Sequence, residues 1–73
     1  MDYIKEAAYE CRMPIKQLCD ELGISVALAR YYRKNKDYPP LICSMVEKMT
    51  KGVVTRQMMR PEDYADIWPE LGA

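Results

Sequence analysis

The sequence has no histidine, and the other residues that could act in catalysis or bind a metal are few and far apart. Histidine is the commonest general base near neutral pH, so neither Ser44 nor a cysteine has a base to activate it as a nucleophile. The three cysteines, Cys11, Cys19 and Cys43, never lie at the C-x-x-C spacing, and a zinc site usually takes about four Cys or His ligands. The three glycines are too far apart for a phosphate-binding loop. We therefore expect no enzyme activity, no metal or other cofactor, and no small-molecule substrate.

Long apolar runs are also missing. None approaches the roughly 20 residues that cross a bilayer, and Asp2, Lys5 and Glu6 interrupt the stretch where a signal peptide would be apolar. The cysteines fall at apolar helical positions, where a free thiol packs as a small hydrophobe, and reduced thiols are typical of the cytosol. The sequence therefore predicts a cytoplasmic protein that does not enter a membrane.

The chain carries no net charge, because 11 lysines and arginines balance 11 aspartates and glutamates. The two signs are nevertheless segregated. Residues 22–36 contain four basic residues and no acidic one, whereas residues 61–73 contain four acidic residues and no basic one. A chain of this length forms at most one domain, and its core is marginal. We predict a single domain over residues 1–73, in which residues 61–73 form a C-terminal segment that docks or dimerises.

The apolar spacing predicts an all-α fold, a compact bundle of four or five short helices. Capping residues and prolines place four helices and a short helical turn at residues 2–12, 14–22, 25–35, 40–50 and 56–59. The C-terminal segment is predicted to add one helical turn at most. The methionines in the second half of the chain are expected to fill gaps in the core, namely Met45, Met49, Met58 and Met59.

A glycine separates the second predicted helix from the third. The small Cys19, four residues before Gly23, lets two helices approach closely, and Gly23 lets the backbone reverse. Two helices that cross steeply at a short Gly-containing turn form a helix-turn-helix unit. The side chains expected on its inner side are Leu18, Leu22, Ile24, Ala29 and Tyr32.

The outer side of the third predicted helix is basic. If Ala29 and Tyr32 point inward, the positions left outside or at the edge are Val26, Ala27, Arg30, Arg33 and Lys34. A basic face without acids can lie in a DNA groove, where it neutralises phosphates and releases counterions. Cations also favour the C-terminal end of a solvated helix without any ligand. The helix-turn-helix spacing is the feature that favours DNA over this simpler explanation.

Four stretches of the chain together resemble the small phage Cro-type repressors, and most closely the YdaS-type antitoxins and prophage regulators. They are "LCDELGIS", "VALARYYRK", "LICSMVEKMTKG" and "VVTRQMMRPEDY". The resemblance covers residues 15–64, and its most specific part is the G-x-V-T-R-x-x-x-R-P pattern from Gly52 to Pro61. It implies a Cro- and λ-repressor-like helical domain in a bacterial cytoplasm. Such a domain binds double-stranded DNA, often as a homodimer.

The resemblance also implies roles for individual residues. The positions that read base edges in the family correspond to Ser25, Val26, Ala27, Arg30 and Tyr31. The positions that meet backbone phosphates correspond to Lys16, Gln17, Arg33, Lys34 and Lys36. Many members have a polar side chain at the start of this helix, whereas Val26 and Ala27 can only touch a thymine methyl group. Hydrogen-bonded readout is then left to Ser25, Arg30 and Tyr31.

The acidic C-terminal segment also contains Ile67, Trp68 and Leu71. Apolar side chains near a chain end become ordered only when the segment docks. They can pack back onto the core of the same chain, or they can cross to a second subunit, where tryptophan is enriched. Both possibilities are open at the level of the sequence.

The sequence thus predicts a sequence-specific transcriptional regulator, a repressor of phage or prophage type that binds an operator through its third helix. Two alternatives use the same scaffold. A protein-interaction module, such as an antitoxin, would act through the acidic segment. An architectural or recombination-directionality protein would use the basic helix with little base specificity.

Overall fold

Seven helices make up the structure, a computed structural model that describes residues 2–72. Their bounds are α1 Tyr3–Glu10, α2 Ile15–Leu22, α3 Val26–Asn35, α4 Pro40–Met49, α5 Arg56–Met59, α6 Tyr64–Ile67 and α7 Pro69–Gly72. These residues contain no strand, and the predicted all-α class is confirmed. The radius of gyration is 11.6 Å, close to the roughly 11 Å expected for a compact domain of this length.

The first five predicted elements are present, although some end earlier than predicted. Helix α1 stops at Glu10 because Arg12 has a left-handed backbone, with φ 55°, and cannot continue a right-handed helix. Pro40 occupies the first turn of α4, where a missing N–H costs nothing. Thr55 caps α5 by accepting a hydrogen bond from the Met58 N–H at 3.1 Å.

The prediction of four or five helices is wrong, because the C-terminal segment forms two helices where one turn was expected. Trp68 precedes Pro69, and a residue before proline is driven out of the α region. Its backbone accordingly sits at φ −125° and ψ 82°, which ends α6 and lets α7 begin at the proline. The predicted turn is thus split into two helices of 4 residues each.

One apolar core joins α1, α2 and α4. Its most deeply buried members come from all three helices and from the segments around them: Ile4, Ala7, Leu18, Tyr38, Cys43, Val46 and Val54. Met59 is also buried, and Met45 and Met49 pack against the same cluster, which confirms the predicted role of these three methionines. Met58 is half-buried and does not belong to the cluster, so the prediction for it is not confirmed. Cys19 and Cys43 are buried free thiols, and Cys11 is half-buried.

Thr50 is the one polar residue buried in this core among residues 2–72. Its hydroxyl donates to the Val46 carbonyl at 2.9 Å and accepts from the Val54 N–H at 3.0 Å. A buried hydroxyl with both partners satisfied costs little, whereas an unpaired one costs about 1–3 kcal/mol. Thr50 therefore fixes the end of α4 to the segment that leads into α5.

Two arginines fasten the C-terminal third of the chain. The Arg56 backbone N–H and side-chain Nε donate to the two Glu47 carboxylate oxygens at 2.9 and 3.1 Å. The Arg60 guanidinium makes a two-pronged pair with Asp63, at 3.0 and 2.7 Å, and donates to the Tyr38 carbonyl at 2.6 Å. Such forked pairs fix orientation as well as distance. Both arginines of the G-x-V-T-R-x-x-x-R-P pattern thus make contacts that hold the fold.

None of the helices described, the longest of which have 10 residues, combines the length and the apolar character that a membrane span requires.

Candidate nucleic-acid interface

Helices α2 and α3 are joined by three residues, Gly23 to Ser25. Gly23 adopts a left-handed conformation, with φ 73° and ψ 27°, at the end of α2. The Ile24 N–H donates to the Cys19 carbonyl at 3.0 Å, and the Gly23 N–H donates to the Asp20 carbonyl at 3.2 Å. This pair of hydrogen bonds is the usual way in which a glycine ends a helix and turns the chain.

The inner side of the α2–α3 pair is apolar, as the spacing predicts. Leu18 and Ala29 are 0% exposed, and Leu22 and Cys19 are also buried. Ile24 and Tyr32 are half-buried and pack against the core cluster. Helix α3 also contacts α1, so that two helices support its inner face and its outer face is left to solvent.

The outer face of α3 carries the predicted base-reading residues. Its four side chains Val26, Ala27, Arg30 and Tyr31 are all exposed. Ser25 is exposed as well, but its Oγ caps α3 by accepting from the Leu28 N–H at 3.0 Å. The Ser25 hydroxyl hydrogen remains available as a donor. The face thus offers a cation, a phenol and small apolar side chains over about two helical turns.

Most of the predicted phosphate-contacting residues are exposed. Lys16 and Gln17 lie in the first turn of α2, and Lys34 and Lys36 lie at the C-terminal end of α3. Together with Arg30, these lysines form no ion pair with any other described residue. Asp37, the first acid after α3, lies 3.4 Å from Arg60 Nη1. These four cations therefore have no carboxylate within ion-pair distance among the described residues.

Arg33 occupies a different environment from the other basic residues of α3. Its Nε and Nη2 atoms both lie 2.7 Å from Oδ2 of Asp2, and the two side chains are only partly exposed. The sequence could not show this contact, because the partners are 31 residues apart. The predicted phosphate contact of Arg33 requires it to leave Asp2 or to share it with a phosphate.

The pKa of Asp2 reflects this contact. Burial alone would raise the pKa of the carboxyl, but the hydrogen bonds from Arg33 and from the Lys5 N–H, together with the Arg33 charge, hold it below its usual value. The Asp2 side chain is therefore ionised throughout the physiological pH range. An ionised Asp2 can therefore pair with the Arg33 guanidinium at any physiological pH.

The C-terminal segment packs onto its own chain through Trp68. This side chain is half-buried against the core cluster, and the Arg56 guanidinium carbon lies 5.3 Å from the ring centroid. The same guanidinium lies 3.6 Å from Glu70. Ile67 and Leu71, the other predicted docking residues, are half-buried. Their role in a dimer stays a prediction.

An open groove lies between the end of α3 and the α5–α6 connection. Tyr3, Tyr31, Lys36, Arg60 and Glu62 line it, so charges of both signs face the space. Among residues 2–72 no three metal-ligating side chains come together. Burial raises the pKa of the Cys43 thiol to about 11, so this thiol is uncharged at neutral pH.

Comparison of the chain with protein-family models, with curated proteins and with solved structures found no match. Its likeness to Cro-type and YdaS-type regulators therefore rests on the residues quoted above.

Proposed function

We propose that this protein is a sequence-specific DNA-binding regulator of the phage Cro and YdaS type, and that α2, the Gly23 turn and α3 form its helix-turn-helix. Helix α3 lies in the major groove and α2 crosses the sugar–phosphate backbone, as in other proteins with this unit. The observation that carries the proposal is the outer face of α3. It is exposed, it contains no acid, and its cations Arg30, Lys34 and Lys36 have no carboxylate partner among the described residues.

The chemistry of this face divides into base contacts and backbone contacts. Arg30 is the long cationic side chain nearest the middle of α3, and arginine pairs with the O6 and N7 acceptors of guanine. Val26 and Ala27 at the start of the helix suit the methyl group of thymine. The residues proposed to contact backbone phosphates flank these positions. They are Lys16, Gln17, Lys34 and Lys36.

A homodimer on a pseudo-palindromic operator is part of this proposal. A single helix of 10 residues contacts too few base pairs for high specificity. Two copies related by a twofold axis place two recognition helices about one helical turn apart, in successive major grooves. Because the chain carries no net charge, its non-specific affinity for DNA is limited. The second copy of the chain therefore contributes more to operator binding.

Selection of bound duplexes from a random DNA pool tests the proposal, with Arg30→Ala and Lys48→Ala as variants. Lys48 is an exposed cation on α4, so the control removes the same charge from a helix outside the proposed interface. We expect the parent to enrich a site that contains guanine. Arg30→Ala should lose about 1–3 kcal/mol of discrimination at one position, and Lys48→Ala should lose none.

Two other results would contradict the proposal. Equal affinity for selected and random DNA would indicate the architectural alternative. No binding of the parent to any duplex at about 50 mM salt, where phosphate contacts are strong, would remove DNA from the function altogether.

The second candidate function is a protein-interaction module, and the C-terminal segment favours it. Glu62, Asp66 and Glu70 are exposed there, in a segment with no basic residue. An acidic surface of this kind can contact a basic partner protein. Such a protein would retain its partner after Arg30→Ala and lose it when the three acids are replaced by their amides.

A further inference from the structure

Arg33 pairs with Asp2, whose carboxylate is also fixed by a second hydrogen bond. Oδ1 of Asp2 accepts from the Lys5 N–H at 3.1 Å and so caps α1, while Oδ2 accepts from Arg33. The two side chains are 29% and 32% exposed, less than a pair of free surface chains. A carboxylate anchored at a helix N-terminus also gains from the positive end of the helix dipole. The pair therefore joins the start of α1 to the last turn of α3.

The pair changes the number of charges that α3 can offer to DNA. Arg33 lies among Arg30, Lys34 and Lys36, which have no such partner in the part of the chain that the structure describes. Each phosphate neutralised adds to the affinity for every DNA sequence alike. A cation already neutralised by a carboxylate adds little, because a phosphate must first compete with that carboxylate.

We infer that Asp2 is a positioning residue that seats α3 on α1 through Arg33 and withholds the Arg33 charge from DNA, so that base contacts contribute a larger share of the affinity. The inference rests on the proposed function. It reassigns Arg33 from a phosphate contact to an anchor of the recognition helix. It also makes Asp2, which lies outside the helix-turn-helix, a determinant of specificity.

The test uses Asp2→Asn, Arg33→Gln, the double variant, and Glu10→Gln as a matched control. Asparagine caps a helix about as well as aspartate, so Asp2→Asn removes the charge and keeps the cap. Glu10 is an exposed acid at the other end of α1 with no ion-pair partner among residues 2–72, and its replacement changes the net charge equally. Binding of each protein to a random-sequence duplex is measured by fluorescence anisotropy over a range of salt concentrations.

We expect Asp2→Asn to release Arg33 and to steepen the salt dependence by about one phosphate contact. A fourfold rise in salt should then weaken this variant about 3.5-fold more than the parent, the factor that a slope of roughly 0.9 per phosphate gives. Glu10→Gln should leave the slope unchanged. Arg33→Gln alone should lower the melting temperature and leave the slope unchanged, and in that background Asp2→Asn should have no effect on the slope.

The opposite pattern would overturn the inference. If Arg33→Gln alone lowers the slope by about one and Asp2→Asn leaves it unchanged, Arg33 contacts a phosphate in the parent. If Asp2→Asn lowers the melting temperature and leaves the slope unchanged, the pair with Arg33 stabilises the fold but does not withhold the Arg33 charge from DNA. Failure of the parent to bind any duplex would overturn the proposed function as well. If the parent binds the duplex and the salt dependence of Asp2→Asn equals that of the parent, this inference is wrong and the proposed function is unaffected.

Discussion

Lys36 and Lys51 have almost the same backbone conformation but lie in different parts of the molecule. Both are left-handed, with φ 51° and 55°, and both are exposed. Lys36 ends α3, whereas Lys51 follows α4 beside Glu10 and Cys11. The two lysines therefore form a matched pair for separating the effect of charge on binding from its effect on stability.

We predict that Lys36→Asn and Lys51→Asn each stabilise the fold by about 0.5–1 kcal/mol, because asparagine tolerates the left-handed region better than lysine. Only Lys36→Asn should reduce the salt dependence of DNA binding, by about one phosphate contact. Thermal unfolding and anisotropy titrations measure the two effects. An equal loss of slope in both variants would mean that net charge, and not the location of Lys36, governs binding.

The sequence does not distinguish the arginines that pair with carboxylates from those that do not. In the sequence Arg30, Arg33, Arg56 and Arg60 are equivalent positive charges. In the structure the last three pair with carboxylates, two of them across long stretches of chain, and Arg30 does not. Periodicity predicts which side of a helix a residue occupies, and it does so correctly for Ala29 and Leu18. It carries no information on which distant carboxylate a long side chain will reach.

At the scale of elements, the turn between α2 and α3 depends on Gly23. Its φ of 73° is strained for residues with a Cβ, yet a Cβ built there would meet no atom within 4 Å. Gly23→Ala should therefore cost about 1–2 kcal/mol through the backbone alone. Gly23→Asn should cost less, because asparagine tolerates this conformation.

Gly52→Ala is the control for this prediction, since Gly52 has φ 87° and an equally open surrounding. Both alanine variants should lower the melting temperature by similar amounts. Only Gly23→Ala, at the turn that aims α3, should also weaken operator binding under conditions where both variants are folded. A Gly23→Ala protein as stable as the parent would contradict the left-handed turn.

The C-terminal helices α6 and α7 depend on Trp68. Because its ring packs against the core and under Arg56, we predict that Trp68→Ala lowers stability by about 1–3 kcal/mol and leaves the oligomeric state unchanged. In a chain of this size each kcal/mol corresponds to a fall of roughly 4–8 °C in melting temperature. Calorimetry and sedimentation equilibrium measure the two outcomes.

Tyr9→Ala is the control here, because Tyr9 is an aromatic residue that is 77% exposed. Tyr9→Ala should change the free energy of unfolding by less than about 0.5 kcal/mol, and the melting temperature by a correspondingly small amount. A Trp68→Ala protein that moves toward monomer without losing thermal stability would instead place the tryptophan in a dimer interface.

Helices α1 to α4 were predicted from the sequence, whereas α6 and α7 were not, and the reason is physical. Helices α1 to α4 are long enough for an apolar stripe to repeat, and their caps, such as Asp2 and Ser25, are visible in the sequence. Helices α6 and α7 have 4 residues each, too few for any periodicity. Tertiary contacts of Arg56 and Trp68 stabilise them, and sequence spacing does not reveal such contacts.

For the whole molecule, acid should weaken the ion pairs that hold the fold. The hydrogen bonds and charge of Arg60 hold the pKa of Asp63 below its usual value, and the pKa of Asp2 is also lowered. A carboxyl whose pKa is lower in the folded chain stabilises the fold above its unfolded pKa, about 3.9. That contribution is lost as the pH falls through the lower folded value.

Melting temperatures of Asp2→Asn and Asp63→Asn should therefore lie below that of the parent at neutral pH and converge with it below about pH 3. Glu62→Gln, at an exposed acid without an ion-pair partner among the described residues, should match the parent throughout. A difference between Asp2→Asn and the parent that persists unchanged into acid would show that the pair does not contribute through its charge.

The zero net charge of the molecule conceals an uneven distribution of its charged side chains. Carboxylates neutralise the arginines that hold the fold, and the outer face of α3 keeps its positive charge. The exposed acids Glu62, Asp66 and Glu70 lie on the C-terminal segment. A negatively charged polymer should therefore approach the outer face of α3 and avoid the exposed acids of the C-terminal segment, even though the whole carries no net charge.

Amide chemical-shift mapping of the isotope-labelled protein, titrated with a random-sequence duplex at low salt, tests this central claim most directly, because it needs no knowledge of the operator. We predict shifts in the amides from Ser25 to Lys36 and at Lys16 and Gln17, and none in residues 64–72. Shifts confined to the C-terminal segment, or an unchanged spectrum at about 50 mM salt, where phosphate contacts are strong, would contradict the account.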